Sequence, residues 1–135
     1  MNSTSQRTAT VWPTLRYRDA RAAIRFLVDA FGFEEVVAYA GADESIVAHA
    51  ELRWPAGGGL MLGSVREDSG IPGLPAGTGS LYVVTEDPDG LYERARAAAG
   101  ARVVRELHDT DYGSREFMVR DPEGVHWSFG TYAGA

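Results

Sequence analysis

Three side chains on two predicted strands are the residues best suited to metal or acid–base chemistry. His49 and Glu51 are two positions apart in an alternating run, so both point to the same face of a strand. His126 lies on the final predicted strand with the same parity as Ser128. Imidazole and carboxylate groups that converge on one face can hold a divalent metal or transfer a proton. The alternative is that they line a polar cavity wall or simply hydrogen-bond to their neighbours.

Most other kinds of chemistry have no support in the sequence. The 135-residue chain contains no cysteine, which removes disulfides and thiolate ligands and suits a reducing cytoplasm. It carries 13 Lys and Arg against 19 Asp and Glu, and the resulting net charge of −6 argues against nucleic acid as a partner. No apolar run approaches the roughly 20 residues of a membrane span, and no signal peptide is recognisable. We therefore expect a cytoplasmic protein with no membrane partner.

The elements that must position these side chains form an internal repeat. Residues 19–32 have the apolar spacing of an amphipathic helix, with an aspartate N-cap and a terminal glycine. Residues 87–100 repeat that pattern 68 positions later. Each half therefore reads β-α-β-β-β. The predicted strands are 10–17, 33–40, 46–54 and 60–63 in the first half, and 79–85, 101–107, 114–121 and 126–130 in the second.

The predicted fold is α+β, a single domain of two tandem βαβββ modules that form a curved mixed-sheet cup. The first module covers about residues 10–64, a glycine- and proline-rich linker about 65–78, and the second module about 79–132. The polar residues 1–10 are expected to be a frayed tail. Each sheet leaves one face that its single helix does not cover, and a concave, half-apolar surface of this kind is a usual place for a ligand.

Two sequence motifs resemble those of a known superfamily. The first half carries Asp19, Phe26, Gly32 and Phe33, and the second carries Y-G-x-R-E-F-x-V-R-D-P-E-G over residues 112–124. With the duplicated β-α-β-β-β pattern, they resemble the vicinal oxygen chelate superfamily of glyoxalase I, extradiol dioxygenases, and fosfomycin- and bleomycin-resistance proteins. The second motif is most similar to the bleomycin-resistance proteins. The resemblance implies the glyoxalase/bleomycin-resistance fold and a homodimer.

The resemblance also locates the positions of a metal site. Catalytic members of the superfamily hold a divalent metal with four His, Gln or Glu side chains, and the resemblance places those positions at Trp12, Met61, Ser80 and Ser128. These side chains do not make a site for a hard metal ion. We therefore expect no metal and no cofactor, which disfavours glyoxalase I, fosfomycin-transferring and ring-cleaving activities. A metal-dependent lyase or dioxygenase with a non-standard ligand set stays open as an alternative.

The cup is expected to bind a small organic molecule. A Trp and a Met in place of metal ligands make a polarizable surface for an aromatic group, and Arg16 can pair with an anion or stack on a ring. The alternative is that Trp12 and Met61 only fill the sheet interior. Trp54 and Trp127 have the opposite parity and are expected to pack beneath the helices. The predicted lining of the cup is Trp12, Thr14, Arg16, His49, Glu51, Met61, Ser80, Tyr82, Tyr112, His126 and Ser128.

Two classes of function remain. One is a metal-free binding protein that sequesters an antibiotic or a planar or cationic metabolite. The other is an enzyme, an isomerase, epimerase or lyase, in which His49, Glu51 or Glu116 acts as acid or base. Binding is preferred because the metal-ligand positions hold apolar or neutral side chains. Whether the cup closes within one chain or between two is left open, as is the identity of the ligand.

Overall fold

Within residues 9–66 and 75–135, which the computed structural model describes, each half of the chain folds into its own four-stranded sheet. The order is β1-β4-β3-β2 in one sheet and β5-β8-β7-β6 in the other. In each sheet the first pair of strands is parallel and the other two pairs are antiparallel. The predicted α+β fold of two βαβββ modules is confirmed. The strands are β1 (Thr14–Tyr17), β2 (Glu34–Ala40), β3 (Val47–Arg53), β4 (Gly59–Ser64), β5 (Ser80–Val84), β6 (Arg102–Asp109), β7 (Arg115–Arg120) and β8 (His126–Gly130).

The strand registers of the two sheets are equivalent through the repeat. Thr14 on β1 lies opposite Met61 on β4, and Tyr82 on β5 lies opposite Ser128 on β8. Thr14 and Tyr82 are 68 residues apart, and Met61 and Ser128 are 67 apart, as the sequence repeat requires. The duplication therefore reaches individual side-chain positions in the sheets.

β1 is shorter than the sequence predicts. The strand predicted over 10–17 begins only at Thr14, because Pro13 has no N–H to donate to a neighbouring strand. Trp12 precedes the strand and donates its indole N–H to the Ala9 carbonyl at 2.9 Å. The other strands differ from their predicted limits by at most two residues. The predicted tail up to residue 8 and residues 67–74 of the predicted linker lie outside the described residues.

The first predicted helix contains two helical geometries. α1 covers Ala20–Phe26, and the side chain of Asp19 caps it by accepting the Ala22 N–H at 3.0 Å. A π-helical turn, Leu27–Phe31, continues it to Gly32, which ends the helix at φ +92° as predicted. The wider turn is not visible in the spacing of apolar residues. The second helix, α2, covers Pro88–Ala97.

Both sheets contribute one face to a single hydrophobic core. The π-helical turn of the first module packs on the second sheet, where the Phe31 ring is 5.4 Å from Trp127 and 4.8 Å from Phe129 of β8, measured between ring centroids. Along the strands, the core side chains alternate with the predicted ligand-binding residues, which therefore lie on the opposite side of each sheet. We call that side the outer face. Val47 departs from this alternation, because the β2–β3 register shifts between Tyr39 and Ala40. The buried strand residues are Leu15, Tyr17, Val47, Ala50, Leu52, Leu60, Leu62, Phe117, Val119, Trp127 and Phe129.

Candidate functional site

The outer face of the first sheet brings together five of the predicted ligand-binding residues. Thr14 and Glu51 lie on either side of Met61, so the three form one row across β1, β4 and β3. Arg16 and His49 lie on the same face, two residues along their strands from Thr14 and Glu51. A shallow cavity of about 80 Å³ opens here, lined by Thr14, Leu15, Arg16, His49, Met61 and Leu62.

The Arg16 guanidinium lies across the backbone of β4. Its position depends on Gly63, because a Cβ there would be 2.5 Å from Nη1 of Arg16. The same nitrogen donates to the Ser64 carbonyl at 3.4 Å, a long contact that leaves the rest of the guanidinium available. The outer face of the first sheet therefore presents a cation to an incoming ligand.

His49 and Glu51 form a hydrogen-bonded pair on this face. Nε2 of His49 is 2.9 Å from Oε2 of Glu51, and the two side chains are 42% and 34% exposed. The Tyr39 ring stacks on the imidazole with an interplanar angle of 15° and a centroid distance of 6.5 Å. The carboxylate and the tyrosine together fix the orientation of the imidazole ring, which a proton-transfer group requires.

His126 does not join this pair. It lies on β8 of the second sheet, opposite Ser80, whereas His49 and Glu51 belong to the first sheet. The hypothesis that these three side chains form a metal site is therefore wrong for a single chain, because their strands belong to separate sheets. Throughout residues 9–66 and 75–135, no group of three His, Cys, Asp or Glu residues could hold a metal ion.

The positions that the resemblance gives to metal ligands do not fit a divalent metal. Trp12 and Met61 lie on the first module, and Ser80 and Ser128 on the second. They offer an indole, a thioether and two neutral hydroxyls, none of which is a preferred donor for Mg²⁺, Mn²⁺, Fe²⁺ or Zn²⁺. Trp12 and Met61 also do not belong to the shared core, so they do not simply fill the interior.

The outer face of the second sheet contains two residues that the sequence reasoning missed. Met118 lies opposite Ser128, and Arg120 lies opposite His126. Met118 is 67 positions after Glu51, so the repeat offset could have identified it. With Tyr82 next to Ser128, this face combines a thioether, hydroxyls and basic groups.

Glu116, a candidate acid or base, is held by tyrosines at the end of the same face. Its carboxylate accepts hydrogen bonds from the hydroxyls of Tyr112 and Tyr82. The bond to Glu116 raises the pKa of Tyr112 above its usual value. Burial is the main cause that raises the pKa of Tyr82, and the Glu116 charge adds to it. Both tyrosines therefore act as neutral hydrogen-bond donors at physiological pH.

A second cavity, of about 410 Å³, lies at the seam between the modules. Trp54, just after β3, donates its indole N–H to the Val84 carbonyl at 3.0 Å and forms one wall. Trp127 is fully buried in the core as predicted, but Trp54 is half-buried at this seam, because the chain leaves the sheet after Arg53. The lining residues are Pro13, Phe33, Trp54, Ala56, Gly57, Gly59, Leu60, Leu81, Tyr82, Val83, Val84 and Trp127.

Neither α1 nor α2 is a membrane-spanning element. In the part of the chain that the structure describes, no helix is long and apolar enough to cross a bilayer.

Comparison with known proteins gives a consistent set of likenesses. The family model of the Glyoxalase/Bleomycin resistance protein/Dioxygenase superfamily matches residues 9–129. The uncharacterised protein Rv0887c of Mycobacterium tuberculosis H37Rv is 35% identical over 127 residues, which cover 87% of this chain and 71% of that protein. The structure of TioX from Micromonospora sp. ML1 is 31% identical, with a TM-score of 0.76 over 91% of this chain and 98% of TioX. A family enzyme from Burkholderia phytofirmans PsJN, at 21% identity, shares the fold with a TM-score of 0.62 over 88% of this chain and 94% of its own.

Proposed function

Because the chain belongs to the Glyoxalase/Bleomycin resistance protein/Dioxygenase superfamily, we propose that it binds and sequesters a small planar organic molecule without a metal ion. The superfamily supports unrelated activities, so the proposal rests on the site and not on the fold. The observation that carries it is the composition of the outer faces. They present sulfur, aromatic and hydrogen-bonding side chains at the positions where the resemblance expects metal ligands.

An aromatic ligand suits the middle of these faces. Met61 and Met118 are half-buried at the centres of their sheets, and thioethers make favourable contacts with aromatic rings. Arg16 can stack on a ring or pair with an acidic group of the ligand. An antibiotic or a planar metabolite can supply the ring and the acidic group for these contacts. Its sequestration requires affinity but no catalytic group.

A second copy of the chain is proposed to complete the site. The cavity on the first outer face is about 80 Å³, whereas pockets for drug-sized ligands are typically about 300–1,000 Å³. A ligand of that size needs a second wall. Among the strands of residues 9–66 and 75–135, β1 and β5 are edge strands, each with one unpaired side, which leaves room for another copy to approach. A two-fold dimer would contain two equivalent sites.

The test combines sedimentation equilibrium, elemental analysis and a thermal-shift screen with bleomycin and planar aromatic compounds. We expect a metal-free dimer and a ligand that adds about 2.7 kcal/mol to the folding free energy at 100 times its Kd. Met61→Lys should abolish this stabilisation, because it places a charge in the middle of the outer face. Ala56→Leu, which narrows the seam cavity instead, is the matched control and should retain it.

Three results would contradict this proposal. A monomer at high concentration would exclude the second copy. One equivalent of tightly bound metal would exclude the metal-free site. If the ligand still stabilises Met61→Lys but no longer stabilises Ala56→Leu, then it binds in the seam cavity and not on the outer face.

One observation favours a second candidate function, acid–base catalysis. The His49–Glu51 hydrogen bond of 2.9 Å orients an imidazole, and Arg16 lines the same small cavity as His49. A base next to an anion-binding group suits proton abstraction beside a carboxylate, as in an isomerase, epimerase or lyase. The test is solvent deuterium exchange into a panel of 2-substituted carboxylates. Exchange that disappears in His49→Gln would support catalysis, and its absence with every compound would exclude it for that panel.

A further inference from the structure

Two exposed tyrosines bind one carboxylate at the end of the second outer face, and a third tyrosine packs against one of them. Tyr82, Tyr112 and Tyr132 are 43%, 59% and 46% exposed. Glu116 accepts the Tyr112 hydroxyl at Oε1 over 2.8 Å and the Tyr82 hydroxyl at Oε2 over 3.2 Å. We call these four residues the tyrosine cluster. Its members come from β5, the β6–β7 turn, β7 and the segment after β8, so the fold assembles it from distant parts of the chain.

The geometry of the cluster is fixed by its neighbours. A Cβ at Gly130 would lie 2.5 Å from the Tyr82 hydroxyl oxygen and 2.6 Å from Cγ of Glu116, so glycine is what lets these groups meet. The Tyr82 hydroxyl shares its one hydrogen between the Tyr132 carbonyl at 2.9 Å and Oε2 of Glu116 at 3.2 Å. The Tyr112 and Tyr132 rings are 5.9 Å apart between centroids and inclined at 81°. The two rings therefore pack edge to face, next to the Tyr112 hydroxyl that binds Glu116.

No basic side chain neutralises the cluster within the described residues. Glu116 takes part in none of the ion pairs found there. Arg115, its neighbour on β7, is held instead by Asp89 at 2.8 Å and Asp109 at 3.0 Å. His108 faces Glu116 from β6, and its Nδ1 is 2.8 Å from the carbonyl of Glu106.

The internal repeat allows the Glu116 charge to be compared with the equivalent position on the first sheet. Gly130 is 67 residues after Gly63, the glycine that the Arg16 guanidinium crosses on the first sheet. At the equivalent place on the second sheet, the crossing groups are the Tyr82 hydroxyl and the Glu116 side chain. The two outer faces therefore present opposite charges at equivalent positions, a cation on the first and an anion among aromatic rings on the second.

Building on the small-molecule site proposed above, we propose that the tyrosine cluster binds an alkylated ammonium group of the ligand. Cations bind over tyrosine rings through the ring quadrupole, and alkylated ammonium groups are typical ligands of aromatic cages. The Glu116 charge, which lies at the hydroxyl edge of the Tyr112 ring, adds attraction. The tyrosine rings favour an alkylated ammonium group over a primary amine or a metal ion, because their faces attract a cation but accept no strong N–H hydrogen bonds and coordinate no metal. The ligand class is thus a planar molecule that carries a quaternary ammonium group.

The test is an NMR titration of the purified full chain with choline and with its neutral isostere, 3,3-dimethylbutan-1-ol. We expect choline to shift the Tyr112 and Tyr132 resonances and to bind about threefold to fivefold more tightly than the alcohol. Tyr112→Leu and Glu116→Gln should each remove most of that preference. Tyr112→Phe keeps the ring and should keep the preference. Glu93→Gln removes an exposed carboxylate elsewhere and should change nothing.

Two outcomes would overturn the inference. One is equal affinity for choline and the alcohol. The other is an unchanged preference in Tyr112→Leu and Glu116→Gln, with circular dichroism showing that both variants fold. The experiments distinguish failure of this inference from failure of the proposed function. If choline does not bind but Met61→Lys still abolishes stabilisation by an aromatic compound, only the ammonium subsite is excluded.

Discussion

The Tyr17 hydroxyl donates a 2.7 Å hydrogen bond to Oδ2 of Asp121, a residue 104 positions away in the other module. Asp121 is only 3% exposed, and Oδ2 also accepts the Trp127 indole N–H at 3.0 Å. Its Oδ1 accepts the backbone N–H groups of residues 123, 124 and 125 at 3.0–3.1 Å. One buried carboxylate therefore fixes the β7–β8 turn and joins β1 to the second module.

Removal of this carboxylate should strongly destabilise the protein. Asp121→Ala leaves a hydroxyl, an indole N–H and three backbone N–H groups without their acceptor, so we expect a loss of about 3–5 kcal/mol. Tyr17→Phe removes one donor and leaves no unpaired hydroxyl, and should cost only about 1 kcal/mol. Urea denaturation of both variants measures the difference. Equal losses would show that Asp121 does not act as the shared acceptor.

Tyr17 should also make the protein less stable at alkaline pH. Burial, reinforced by the Asp121 charge, holds the pKa of Tyr17 far above its usual value. Above pH ~10 the unfolded chain releases this proton while the folded chain keeps it, so stability falls as pH rises. Tyr17→Phe should reduce the steepness of that fall by an amount that grows with pH toward a limit of about 1.4 kcal/mol per pH unit. Urea titrations between about pH 9 and 11 measure the slopes, and identical slopes would contradict this assignment.

Two glycines on β4 should respond differently to alanine. A Cβ at Gly59 would lie 2.2 Å from the Leu52 carbonyl, which is backbone and cannot move aside. At Gly63 the closest atom is Nη1 of Arg16 at 2.5 Å, the end of a flexible side chain. We expect Gly59→Ala to cost about 3 kcal/mol or more and Gly63→Ala about 1 kcal/mol. Gly63→Ala should still displace Arg16 and weaken the binding of an anionic ligand. Equal urea midpoints for the two variants would contradict this reasoning.

The sequence predicts the internal repeat, and it predicts which face of its sheet each strand side chain occupies, because both follow from local periodicity. The alternation that puts Met61 and Glu51 on one face is a property of any strand, and the offset between Thr14 and Tyr82 can be counted. The π-helical turn and the early end of the sheet before Trp54 depend on tertiary packing, so no local pattern indicates them.

The sequence also does not determine which sheet faces meet. Alternation sorts residues into two faces, but it does not say that the face with Trp127 packs against Phe31 of the other module. That arrangement places His126 and His49 on separate sheets, so within one chain they do not form the metal site considered as an alternative to a metal-free cup. Likewise, the meeting of Tyr82 with Glu116 requires β5 and β7 to flank β8, and that is a property of the sheet order.

Arg115 should link the stability of the second module to acidic pH. Its guanidinium binds Asp89 on α2 and Asp109 on β6, and the bond to Arg115 lowers the pKa of Asp89. The ionised carboxylate is therefore favoured in the folded state. The contribution of the Asp89–Arg115 pair to stability is complete above the unfolded pKa of about 4 and is lost as pH falls through the lower folded value.

The thermal midpoints of the native protein and Asp89→Asn should differ at pH ~6 and converge below pH ~3. High salt should reduce the difference, because the pair is exposed. Asp111→Asn, outside this network, is the control, and a gap that persists at low pH would show that Asp89 acts by another route.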